Sequence, residues 1–295
     1  MQMNVQLHHA VTDITRATGP RIIRAIVSGN HAPDTLASYR DTRCAASEEI
    51  LREALAGNYR SEHVSGLRQA LELYDVYQAK IAECGVEIEA VLRVLSEPRV
   101  TPATTFPSAR HAKSRNEPKF DPRLALYTLL GADLSQIHGF GPYTVLRLVA
   151  ECSDDMTKWP TAKHFTSWLS LAPGNKISRG RLLSSKTRRS SNRAAALLRI
   201  AAVNIGKTQT ALGAFYRRLA GRTRKAKAVT ATARKLAILF YNFYNPLQFG
   251  MTYVDPGVSS YEDRYRQRVI HNLQRRTKSL GFTLVTAIPA TEGVS

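Results

Sequence analysis

Leu134 to Cys152 reads LSQIHGFGPYTVLRLVAEC. A short amphipathic lead runs into Gly139-Phe140-Gly141, and Pro142 then opens a run with helical apolar spacing. Proline is well placed at the first position of a helix, where its missing N–H would have had no intrahelical acceptor. The two glycines allow a tight backbone turn, and the whole reads as a helix-hairpin-helix pattern. Amides at the start of its second helix can meet a phosphate, which makes Gly139 and Gly141 candidate DNA-binding residues. The same residues would also suit a plain helix connection packed into a core.

Beyond this element the chain becomes strongly basic. From Met156 to Val254 there is no Asp or Glu, whereas 19 Lys and Arg fall in those 99 residues. Over all 295 residues Lys and Arg number 42 and Asp and Glu 23, a net charge of +19. Outside the basic segment the two signs therefore balance at 23 each. A single-sign region beside neutral ones is the footprint of a phosphate-backbone partner. A solvated basic surface is the plainer alternative, although solvated faces usually carry interspersed acids that limit self-repulsion.

Within the basic segment, helices are expected around Phe165, Trp168 and Leu169, around Leu197, Leu198, Ala201 and Ile205, and around Leu212, Phe215, Tyr216 and Leu219. Between the first two, GNKISRGRLLSSKTRRSSN (174–192) has no helical stripe and reads as a basic, Ser-rich loop or short hairpin. It places Ser178 among Lys176, Arg179 and Arg181, with Lys186, Arg188 and Arg189 beyond. A hydroxyl beside guanidinium groups can attack a phosphodiester whose charge those groups stabilise. Serines in such loops also simply hydrogen-bond phosphates, and Ser184, Ser185, Ser190 and Ser191 share the neighbourhood. Next, GRTRKAK (221–227) adds Arg222, Arg224, Lys225 and Lys227 ahead of a helix carrying Leu236, Leu239, Phe240 and Phe243. In the tail, Ser259 with Glu262 can form a capping box and Gly281 can end the helix.

Toward the N-terminus strand alternation is absent, and three helical segments are expected: one through about Ile26, one around Asp34 to Ala56, and a long one from about Glu62 to Ser96. In the third, Leu67, Tyr74, Ile81, Ile88 and Leu95 recur every seven residues, with Leu71 and Leu92 on a companion seam that Gln78 and Gly85 interrupt. Both a dimerising coiled coil and a long helix packed inside one bundle fit. Pro98, Pro102, Pro107, Pro118 and Pro122 then mark a linker. The expected fold is mainly α: a helical region with coiled coil over 1–97, a Pro-rich linker over 98–122, a helical domain over 123–254 and a helical tail over 255–295.

Cys44, Cys84 and Cys152 are far apart, with no CxxC pair, which argues against a disulfide scaffold or a zinc site and fits a reducing compartment. A two-metal nuclease needs clustered carboxylates that the acid-free stretch does not supply. Asp133, Asp154 and Asp155 read as helix-end residues, so no metal ligand is named. Lacking a spanning run or a signal pattern, the chain is expected to be cytoplasmic and without a membrane partner.

These residues resemble the DEDD-type insertion-sequence transposases of family one hundred and ten, with members one-sixteen and nine-oh-two. The resemblance runs through IHGFGPYTVLRLVAE (137–151), HFTSWLSLAPGNKISRG (164–180), NRAAALLRIAA (192–202), RKLAILFYNFYN (234–245) and YEDRYRQR (261–268). It extends to NVQLHHAVTDITRATGPRIIRAIVSG (4–29) and the long helix, which are similar to the family's middle region. It implies a DNA transposase or recombinase. It further implies that Ser178, five residues after Pro173, is the nucleophile that links covalently to DNA. The family's N-terminal RNase-H-like domain, with four acids that bind magnesium, has no counterpart in the residues at hand. The resemblance therefore implies no cofactor on this chain itself and magnesium for the full-length family. DNA, a structured bridge RNA, and a homo-oligomer or a full-length transposase are the partners implied. A truncated, non-catalytic DNA-binding and dimerising fragment is the alternative.

Overall fold

The computed structural model describes residues 3–96, 117–152, 155–244 and 253–285. It is mainly α, and its strands among the described residues are one two-stranded antiparallel pair. The chain divides into two compact units, Met1–Val86 and Glu87–Ser295.

In the first unit lie α1 (Leu7–Ala10), α2 (Thr18–Val27), α3 (Pro33–Ser38), α4 (Glu48–Ala54) and the start of α5 (Ser61–Ser96). Ile22, Ile26, Leu36, Leu51 and Leu55 form its core. The first two expected segments are each divided in two, and local side-chain bonds explain the breaks. Asp13 Oδ1 accepts from the Thr15 amide at 2.8 Å, which turns the chain between α1 and α2. Asp41 Oδ1 accepts from the Arg43 amide at 3.1 Å, and Ser47 Oγ then caps α4 by accepting from the Ile50 amide. Helix α5 has the expected extent. Along it Ile81, Ile88 and Leu95 are exposed, whereas Leu92 is buried.

The second unit holds α6 (Arg123–Leu130), a 3-10 turn (Leu134–Gln136), α7 (Pro142–Cys152), a second 3-10 turn (Met156–Lys158) and α8 (Ala162–Trp168). Strands β1 (Lys176–Ser178) and β2 (Arg181–Ser184) come next, then α9 (Arg193–Ile205), α10 (Ala211–Arg222), α11 (Lys225–Phe243) and α12 (Gly257–Ser279). Side-chain caps set three of the starts. Thr161, Asn192 and Thr210 accept from the amides of His164, Ala195 and Gly213, one orphan donor satisfied at each helix. Helix α11 is the hub, packed by α8, α9 and α10. Its Phe240 is fully buried, stacked on Phe165 of α8 at 6.1 Å and meeting Phe140 edge-on at 6.5 Å. Buried Ala194, Ala195, Ala201 and Ala202 let α9 approach its neighbours closely.

Helix α12 has no buried residue and packs on α10. Gly281, at φ +84°, lies just past its end as expected. The capping box does not form. The helix starts at Gly257, so Ser259 sits inside the first turn. Asp255 Oδ1 instead accepts from the amides of Gly257 at 2.7 Å and Ala211 at 3.1 Å. Glu262, released from capping, meets Arg218 of α10 at 3.4 Å. Of the expected linker, residues 98–116 lie outside the described residues.

Candidate nucleic-acid interface

Ser178 ends β1 at the tip of a hairpin. The pairs Lys176 with Ser184, Ile177 with Leu182, and Ser178 with Arg181 leave Arg179 and Gly180 as a two-residue turn. Both turn residues have positive φ, +46° and +75°, the geometry whose twist matches antiparallel strands and that Gly provides without strain. Pairing sets Arg181 directly across from Ser178 on one face, and the register is irregular between Ile177 and Lys176, where Leu183 is the extra residue before Ser184 pairs with Lys176. The root is closed where the Gly174 amide donates to the Lys186 carbonyl at 3.0 Å. Arg188 and Arg189 lie beyond it, exposed, outside regular structure.

The apolar residues of this hairpin escape a reading based on helical periodicity. Ile177, Leu182 and Leu183 are 65%, 58% and 69% exposed. The Arg-Gly turn between two short runs was the readable signal. Among the described residues Ser178 Oγ makes no hydrogen bond, and no carboxylate or histidine is bonded to it. His164 is occupied elsewhere, its Nδ1 2.8 Å from Thr161 Oγ.

The second cationic group surrounds the α10–α11 junction. Arg222 ends α10, Arg224 precedes α11, and Lys225 and Lys227 lie in its first turn, all exposed. A helix start carries partial positive charge, and here no acid occupies the first turn to offset it. Among the described residues none of these four, nor Lys176, Arg179, Arg181, Lys186, Arg188 and Arg189, forms an ion pair. Such an array favours an external polyanion.

The glycine turn stands on a third element. Asp133 caps the 3-10 turn ahead of it: one carboxylate oxygen accepts from the Ser135 amide at 3.1 Å, the other from Arg123 Nη2 at 2.6 Å and Gln136 Nε2 at 3.0 Å. Burial would raise this carboxyl, but the bonds from Ser135, Arg123 and Gln136 outweigh it and hold it below the ordinary range. Gly139 is set at φ +90°, where an added Cβ would lie 3.0 Å from the Ala201 carbonyl oxygen and from Ile205 Cγ1. Its missing side chain is thus accounted for by close packing on α9. Gly141, half-buried, leads directly into α7, whose first residue is Pro142 as expected. Gly139→Ala should destabilise the fold by about 1–3 kcal/mol through strained φ and crowding, measured by urea unfolding. An unchanged midpoint would contradict the packing.

Asp133 and Asp155 both cap 3-10 turns, as their helix-end reading expected, and Asp154 lies outside the described residues. Among the described residues no three of His, Cys, Asp or Glu cluster. Cys152 is buried, and lost solvation together with Glu151 pushes its thiol up to about 12, so it is inert near neutral pH.

The second unit thus exposes a serine hairpin and a cationic helix junction, an array suited to a polyanion. More particularly, residues 131–217 match the Transposase IS116/IS110/IS902 family. The matched stretch takes in the glycine turn, the serine hairpin, α9 and much of α10; the N-terminal unit, α11 and α12 lie outside it. No curated protein and no solved structure matches the chain. Among the described residues no helix is long and apolar enough to cross a membrane.

Proposed function

We propose that the chain binds mobile-element DNA and that Ser178 is the nucleophile of strand cleavage. The observation that carries this is the exposed Ser178 hydroxyl at a cationic hairpin tip, opposite Arg181 and beside Arg179. Attack by Oγ on the phosphorus breaks the bond to the 3′ oxygen. The serine proton passes to solvent, the leaving oxygen takes one up as a 3′-hydroxyl, and a 5′-phosphoserine link remains. Arg179 and Arg181 oppose the charge that develops on the phosphate oxygens. Reversal by a different 3′-hydroxyl rejoins the strands, since the serine link conserves the bond.

The family's magnesium chemistry does not fit the residues described, which gather no carboxylate cage, so no step is routed through a metal here. Magnesium, supplied with an acidic domain, and a bridge RNA belong to the proposed complete assembly. The exposed Ile81, Ile88 and Leu95 seam of α5 supports pairing with a second copy or with a full-length transposase. A cytoplasmic setting is part of the same reading.

Denaturing electrophoresis of the chain with labelled element-end duplex and the acidic domain should show a covalent protein–DNA adduct that Ser178→Ala abolishes. An adduct surviving in Ser178→Ala would reject the nucleophile. The second reading, binding without cutting, is favoured by the absence of an activating group bonded to Ser178 among the described residues. It predicts duplex binding with no adduct under any of these conditions.

A further inference from the structure

The serine hairpin has a second face. Neighbouring residues on a strand point to opposite sides, so Ile177 and Leu182, which pair directly with each other, lie on the face away from Ser178 and Arg181. Both are more than half exposed, and Leu183, the extra residue of the irregular register, is exposed beside them. All of β1 is exposed, and in β2 only Ser184 is partly covered, so the core shelters neither face. The two strands pack chiefly on each other.

A two-stranded hairpin standing alone in water is marginal, and apolar side chains left in solvent favour a partner that covers them. That partner has to present apolar surface and negative charge together. Lys176, Arg179, Arg181 and Lys186 surround the apolar pair, and no Asp or Glu occurs anywhere from Met156 to Val254. Nucleic acid meets both demands, with flat apolar base faces inside a phosphate backbone. Apolar side chains carried on basic elements enter base steps and unstack them. The hairpin's two faces suit the two parts of an opened duplex: bases against Ile177 and Leu182, and the backbone of one strand against Ser178 and Arg181.

We propose that the serine hairpin is a strand-separating wedge in duplex DNA, with Ile177 and Leu182 stacked on unpaired bases and the Ser178–Arg181 face turned to the backbone of the strand to be cut. Opening the duplex costs unstacking and unpairing, which apolar contact with the exposed bases offsets. The wedge rests on the nucleic-acid reading above and adds to it an uncharged contact that phosphate binding does not supply.

Fluorescence anisotropy should compare a matched element-end duplex with the same duplex carrying a short mismatched bubble, in which the unpairing is already done. The intact chain should bind the bubble about tenfold more tightly. The variant I177T/L182T keeps strand-compatible residues and every charge, so it should lose this preference while its salt slope stays unchanged. On the matched duplex, the intact chain should raise permanganate oxidation of unstacked thymines by about fivefold or more, and this measurement needs no variant to fold. Equal affinity for the two probes with no thymine exposed, where the intact chain binds both with steep salt dependence, would overturn the wedge and leave the nucleic-acid reading in place. Bubble preference or thymine oxidation that persists in I177T/L182T would overturn the assignment to this face. A dimer of the intact chain that forms without DNA and is dissolved by I177T/L182T would make the face a protein interface and likewise overturn the wedge. Failure to bind either probe would overturn both readings.

Discussion

Replacing Arg222, Arg224, Lys225 and Lys227 with glutamine should flatten the salt dependence of DNA binding by about three to four units of log K against log salt. Each cation that neutralises a phosphate releases condensed counterions, and each contact contributes about 0.9 to the slope. For the intact chain, six contacts already imply a roughly thousand-fold or larger loss of affinity between ~50 and ~200 mM salt. The four-residue change should leave the relative preference among sequences nearly unchanged, because phosphate contacts position the protein without reading bases. Fold stability should hold or rise: all four side chains are exposed, and two of them load positive charge onto the positive end of α11. Fluorescence anisotropy across a salt series measures the slope. Salt-independent binding by the intact chain would return the basic segment to a merely solvated surface.

Asp133→Ala should destabilise the protein by about 3–5 kcal/mol, because it strips the carboxylate from a nearly buried guanidinium. Arg123 and Asp133 have side chains only 7% and 14% exposed, and their contact is 2.6 Å. The loss also removes the acceptor for the Ser135 amide and for Gln136, loosening the turn that leads to Gly139. The folded carboxyl lies below its ordinary value of 3.8, so its stabilisation is complete above that value. It is then lost as pH falls through the depressed folded value. Asp133→Asn should therefore weaken the dependence of stability on pH below about 4, whereas wild type loses stability there. Urea unfolding at pH 7 and at pH 3 tests both statements. A cost under about 1 kcal/mol for Asp133→Ala would show that the pair is dispensable.

Local rules made much of this protein readable. Pro142 at a first helical position, Gly281 just past a helix end and the apolar spacing of α7 to α11 act through near neighbours, and the helices lie where that spacing put them. The acid-free stretch was likewise plain, because net charge needs no fold to be counted. Side-chain turns at Asp13 and Asp41 were less legible: Asp bonded to an amide two residues on divides a segment that apolar spacing alone would run together.

By itself, then, the sequence determined the mainly helical class, the basic segment and the neighbourhood of the serine, all of which depend on residue type and short spacing. Only tertiary structure decided how those residues meet. It set Arg181 across from Ser178 through strand register, and it turned Gly139 toward α9, where contact with Ala201 and Ile205 excludes a side chain. It drew Glu262 away from a helix cap and onto Arg218, and it set the Lys235 ammonium of α11 over the Phe215 ring of α10. Each of these depends on a long-range approach between elements, governed by packing and charge across the fold, and such approaches leave no periodic trace along the chain.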